Sequence, residues 1–201
     1  MREDQGPEQH IVSFAVEGRF LNHPSVDALR AAAEQARAEG VAIVFVSDGP
    51  LGDAITLAAA LGAWSTDGLI GVRAGLEKEA HRHPTLLARE VTTLDHICGG
   101  RAVLVFRGPF SEATAEAVTL CRQMFLGQVA VSEGPYFPVA GAINRPGPVR
   151  QGGPPIGLDL SEAHPAPATL LALVDLVLLP AGTAAPAELP SDVQVCQILG
   201  A

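Results

Sequence analysis

The sequence predicts an α/β fold built on a parallel sheet. Strand-like and helix-like segments alternate along the chain, and the first four strands start near residues 11, 41, 68 and 102. A repeat of roughly 30 residues is that of a strand–helix–strand crossover, which joins parallel strands. Both an open doubly wound sheet and a (β/α) barrel satisfy this pattern. No Gly-x-Gly-x-x-Gly follows any strand, which argues against the dinucleotide-binding open sheet. Seven strands can be counted, against the eight strands and ~250 residues of a complete barrel. A barrel built from this chain is therefore truncated or incomplete.

The elements follow in order. "IVSFAV" (11–16) reads as a buried strand, and a helix follows from about Ser25 to Ala38 with Val26, Leu29, Ala33 and Ala36 at helical spacing. Gly40 stands where a helix C-terminal glycine belongs. "VAIVFVSD" (41–48) is continuously apolar, as a strand covered on both faces must be. "LGDAITLAAALGAW" (51–64) is the second helix and "GLIGVR" (68–73) the third strand. Pro84 suits a first helical position, where its missing N–H costs nothing. From there Leu87, Val91, Leu94 and Cys98 share one face until Gly99 and Gly100 end the helix, and "AVLVF" (102–106) is the fourth strand. Ser111 is a candidate N-cap for a helix to Leu126, stopped by Gly127. Strands at 155–160, 175–180 and 193–199 follow, with a short helix near Pro167 to Leu173. Residues 134–155, rich in Pro and Gly, read as an irregular loop or short hairpin within a single domain spanning 1–201.

Composition narrows the function. The 201 residues are 48% hydrophobic and carry a net charge of −9 without a basic cluster, so nucleic-acid binding is not expected. The polar start "MREDQGPEQH" has no apolar leader core, and "ATLLALVDLVLLPAG" is too short to span a bilayer. Three widely spaced cysteines, Cys98, Cys121 and Cys196, sit among apolar residues and read as reduced, buried thiols of a cytoplasmic protein. His81 and His83, with Glu79 nearby, lack a third ligand at sensible spacing, so no metal site is assigned. His96 falls on the solvated side of its helix, and Trp64 and Phe125 read as core or interface residues.

One stretch is more specific. "HPTLLA" (83–88), "TLD" (93–95) and "GGR" (99–101), flanked by "VFVSD", "AITLAAALGAWSTDGLIGV" and "GPYFPV…RPGPVRQGGPPI", occur in the order and spacing of the luciferase-like flavin or deazaflavin monooxygenases. The chain resembles a shortened member of that family over about residues 41–160. The resemblance implies a TIM-type barrel, a flavin cofactor (FMN or the deazaflavin coenzyme F420), a small organic substrate and redox chemistry at the C-terminal ends of the strands. It also implies pairing with a second copy or a homologous chain through the helices after the second and third strands. Asp95 and Arg101 lie at the opposite, stability face, where they are expected to pair or cap.

At the functional rim, the expected contacts to cofactor are Ser47, Gly71, Val72, Arg73, Phe106, Arg107, Gly108 and Asp159, with Val72 in the family's ring-supporting bulge. Asp48 is the candidate acid/base or ring-nitrogen partner; helix capping is its alternative role. Three features depart from the family pattern. Gly49-Pro50 follows Asp48 where members carry a histidine or acid, only "RGPFSE" (107–112) remains of the usual insertion after strand four, and "PAGTAAPAELPSDV" (180–193) has no Arg or Lys where phosphate is expected to bind. These departures keep a second class open: a non-catalytic partner subunit or a flavin-sequestering protein.

Overall fold

The computed structural model describes residues 16–21, 25–49, 51–76, 82–162 and 164–199, with Val16 described by its backbone alone. Seven parallel strands close into a barrel in the order β1 (Val16–Leu21), β2 (Ile43–Ser47), β3 (Leu69–Ala74), β4 (Ala102–Arg107), β7 (Ile156–Asp159), β8 (Leu176–Pro180) and β9 (Gln194–Ile198). Pairing of β9 with β1, Val16 opposite Cys196 and Gly18 opposite Ile198, completes the closure. Helices α1 (Val26–Ala38), α2 (Ala54–Trp64), α3 (Pro84–Ile97), α4 (Glu112–Phe125) and the short α5 (Ala168–Leu171) lie in the crossovers. An antiparallel hairpin, β5 (Ala130–Ser132) with β6 (Val139–Ala142), leads into the loop before β7.

Local chemistry explains the boundaries. Ser25 caps α1 by accepting from the Ala28 N–H, and Asp53 caps α2 by accepting from Thr56 N at 2.8 Å. Pro84 occupies the first turn of α3. Gly99, Gly100 and Gly127 end their helices in left-handed backbone, which only glycine adopts without steric cost.

Two expectations are corrected. The first strand lies at 16–21, and residues 11–15 fall outside the described part. "VEGRFL" does not read as a buried strand because its outer face is polar: Glu17 is exposed and Arg19 pairs with Glu39 at 2.7 Å. The second helix starts at 54, because Asp53 takes the capping position and Gly49 and Gly52 bridge in a turn before it.

The core has two layers set by strand alternation. Ile43, Phe45, Val103, Val105, Leu176, Leu178 and Cys196 fill the barrel interior. Val44, Val46, Ile70, Val72, Leu104, Phe106 and Leu158 point outward against Leu61, Leu87, Val91, Leu94, Val118 and Met124 of the helices. Phe45 takes the space left by two bare glycines. A Cβ on Gly71 would lie 2.1 Å from its ring and one on Gly18 2.7 Å. The interior is thus a packed plug with no pore.

The N-terminal face is held by the two residues of the sequence signature, each working alone. Fully buried Asp95 accepts from Val149 N (2.9 Å), Arg150 N (3.1 Å) and Ala102 N (3.3 Å), pinning the loop before β7 to the α3–β4 junction. Arg101 donates to the carbonyls of Asp67, Gly68, Ser65 and Cys98, at 2.5–2.8 Å. Both cap backbone groups, and no bond joins them among those described.

Candidate functional site at the C-terminal mouth

Strand alternation decides which rim residues face the mouth. Ser47, Gly71, Arg73, Arg107 and Asp159 take inward-facing positions of β2, β3, β4 and β7, with Ser47 in register with Arg73 and Arg107 with Asp159. Phe45 already occupies the space at Gly71. Val72 and Phe106, both fully buried, point into the helix layer. Val72 stands in unbroken register with Val46 and Leu104, so the expected bulge is absent there and neither side chain reaches the mouth. Asp48 also turns outward: its Oδ1 accepts from Ala54 N at 2.8 Å, at the first residue of α2. That is the capping geometry.

The residues that do meet form a charged lattice above the apolar plug. Arg73 Nε donates to Oδ2 of Asp159, and Arg73 Nη2 donates to Oε1 of Glu162 at 2.5 Å. Asp159 is fully buried, and its second oxygen accepts from Ser161 N (2.9 Å) and Ser161 Oγ (2.5 Å). The Arg73 guanidinium lies 5.0 Å from the centre of the Phe20 ring, within cation–π range. Arg107 sits directly opposite Asp159 in the β4–β7 ladder and packs along Gly75, where a Cβ would stand 2.8 Å from its Nε. His164 packs on Gly108 in the same way, 2.6 Å from the position a Cβ would take. Its Nε2 is 3.9 Å from Glu162 Oε2. The hydrogen bond from Arg73, foremost, holds the Glu162 carboxyl below its ordinary range; partial burial opposes this, and the charges of Arg73, Arg107 and His164 reinforce it.

Glu162, His164 and Ser161 carried no sequence signal of their own. They lie in "LSEAHPAP", an irregular stretch whose only cue is that it directly follows Asp159 at a strand C-terminus. A second charged group lies beside the rim at the starts of α2 and α3. There Arg82 pairs with Asp53 and, at 3.2 Å, with Glu90, whose carboxyl is raised by burial against the lowering effect of Arg82. His83 caps α3 through Nδ1, 2.8 Å from Thr85 Oγ1, and His96 Nε2 bonds the Gly147 carbonyl at 2.8 Å. His81 and Glu79 lie outside the described residues, and no cluster with metal-ligand geometry occurs among those described.

Among the described residues a small cavity lies against Leu21, Ser47 and Leu51 beside the rim, and two larger ones lie away from it. One of about 230 Å³ opens between α1 and α2 beside Trp64, and one of about 310 Å³ opens at the N-terminal ends of β7, β8 and β9. Among the described residues no helix is long and apolar enough to cross a membrane.

A closed parallel barrel with polar groups gathered at its C-terminal mouth is a shortened (β/α) barrel of the TIM type, the fold that the resemblance implied. Several solved structures share the fold, among them three enzymes. The coenzyme F420-dependent tetrahydromethanopterin reductase of Methanopyrus kandleri matches with a TM-score of 0.68 at 16% identity, over 83% of this chain and 56% of that one. The monooxygenase RslO1 of Streptomyces bottropensis matches with 0.62 at 19% identity, over 83% of this chain and 60% of that one. The oxygenating constituent of 3,6-diketocamphane monooxygenase from the CAM plasmid of Pseudomonas putida, a type II Baeyer-Villiger enzyme in complex with FMN, matches with 0.61 at 18% identity, over 83% and 58%. The chain thus spans 56–60% of the length of these neighbours. No family model matches the sequence, and no curated protein matches it.

Proposed function

We propose that this chain is a flavin- or deazaflavin-dependent oxidoreductase acting on a small organic substrate at the C-terminal mouth. One observation carries the reading: Arg73, Arg107 and Asp159, from the ends of three successive barrel strands, converge above a packed apolar plug. That rim is where barrel enzymes carry out their chemistry. The fold shared with an F420-dependent reductase and an FMN-bound monooxygenase supports the same class.

The donor set suits the cofactor class, because a reduced flavin is an anion and the mouth carries two guanidinium groups and an imidazole, balanced by the carboxylates of Asp159 and Glu162. When bound, the flavin or deazaflavin would supply the hydride or two-electron chemistry. Phe45, Val105 and Leu178 would exclude water from the floor of such a site, while Ser47, Arg107 and the Gly108 backbone would supply its polar contacts. The Arg73–Asp159 pair fixes the shape of the mouth. Asp48, engaged with the α2 terminus, has no part in this assignment. Half-exposed Leu86 and Ile97 on α3 support pairing with a second chain; sedimentation of the purified protein tests it.

A specific observation favours the second reading, a non-catalytic partner subunit or flavin-sequestering barrel. Residues 180–193 hold no Lys or Arg, and two backbone donors there are engaged, Gly182 N by Gln197 Oε1 and Thr183 N by the Pro180 carbonyl. The test is titration of the purified protein with FMN and, separately, with F420, followed by fluorescence. Saturable binding at micromolar concentration or below supports the oxidoreductase. Failure of both to bind the folded protein removes it.

A further inference from the structure

Glu162 is an exposed carboxylate surrounded by basic groups from three parts of the fold. Arg73 is the penultimate residue of β3, Arg107 ends β4, and His164 lies in the loop after β7. Arg73 Nη2 is 2.5 Å and His164 Nε2 3.9 Å from its oxygens, and the charge of Arg107 acts on the same group.

The two carboxylates that Arg73 holds are not equivalent. Asp159 is fully buried, with its other oxygen bonded twice by Ser161, so it anchors the guanidinium through Nε. The Glu162 side chain is 45% exposed on a loop. A guanidinium fixed along one edge offers its remaining N–H groups in a geometry that matches a planar carboxylate. The exposed half of such a network contributes little net stability, so its carboxylate exchanges at small cost.

We infer that Arg73, Arg107 and His164 form a carboxylate-binding site whose internal occupant is Glu162. The ligand is a small organic acid, its carboxylate replacing that of Glu162 and its apolar body lying against Phe20. The inference rests on the mouth being the functional centre proposed above, and it names the substrate class. Glu162 then acts as a self-displacing latch that keeps the cationic mouth neutral until the acid arrives.

Benzoate is the probe, titrated calorimetrically in chloride-free buffer against the wild type, E162Q and E162Q/H164Q. Circular dichroism checks that each variant is folded. Removing the competing carboxylate should tighten benzoate binding roughly twofold to fivefold, the range expected for releasing one exposed ion pair. Adding H164Q should return most of that gain. E162Q/R73Q should abolish binding; because that change orphans buried Asp159 and risks unfolding, the partly exposed His164 carries the decisive comparison. An E162Q protein that binds benzoate no better than wild type, or a gain that H164Q leaves intact, overturns the site. The flavin titration is run in parallel. A benzoate gain without flavin binding keeps the carboxylate site and removes the redox reading. Flavin binding without a benzoate gain does the reverse.

Discussion

Asp159→Ala tests whether the mouth is held by its buried ion pair. In the folded chain the substitution leaves the Arg73 guanidinium, only 12% exposed, without its buried partner, and it removes the acceptor of Ser161 N and Oγ. Breaking a buried pair by deleting one member costs about 3–5 kcal/mol, most of it the penalty for the stranded charge. Glu162 still pairs with Arg73, which puts the expected loss near the lower end, about 3 kcal/mol. For a chain of this size each kcal/mol moves the melting temperature by roughly 2–4 °C, so a fall of about 6–12 °C is expected. The decisive comparison is the double variant Arg73→Met/Asp159→Leu. Replacing both charges with apolar groups should recover part of the loss, since desolvation is then no longer incurred, although leucine is bulkier than the aspartate it replaces. Urea denaturation read by circular dichroism, with unchanged slope, measures all three proteins. A single variant within about 1 kcal/mol of wild type, or a double variant as unstable as the single, would refute the reasoning.

Asp95→Ala strands three backbone N–H groups beneath the barrel and should cost about 3 kcal/mol, with Asp95→Asn intermediate; urea midpoints decide. Gly71→Ala drives a methyl group into the Phe45 ring and should destabilise by roughly 1–3 kcal/mol; Phe45→Leu in the same chain should relieve part of it. Glu162 has its carboxyl held below the ordinary value of 4.5, first by the Arg73 hydrogen bond. A depressed carboxylate stabilises above its unfolded value, and that contribution disappears as pH falls through the folded one. Glu162→Gln should therefore flatten the acid limb of the stability profile below pH 4.5, by less than about 1 kcal/mol because the pair is exposed. Burial pushes the Cys196 thiol up to about 12 and the Cys121 thiol higher still, and it raises Cys98 as well. At pH 8 a thiol reagent should modify none of them in the native protein and all three in urea.

The sequence by itself determined the elements and their parallel order. Pro84 at the head of α3, Gly99 and Gly100 at its end, and the ~30-residue repeat depend on local sterics and helix periodicity, which act within a few residues. The placing of Asp95 and Arg101 on the stability face followed from the same local order, as did the rim positions of Arg73, Arg107 and Asp159. Tertiary structure alone decided three things. Closure depends on β9 meeting β1, a pairing across about 180 residues that no local pattern records. The direction of each rim side chain depends on which face of the strand the barrel turns inward. In runs such as "AVLVFR" both faces are apolar, so sequence alternation cannot distinguish inward Arg107 from outward Phe106. Strand "VFVS" hides the turn of Asp48 toward α2 in the same way. Finally, the loop carrying Glu162 and His164 has no periodicity at all; only the folded chain brings it over Arg73, because charges attract by distance in space and not by separation in sequence.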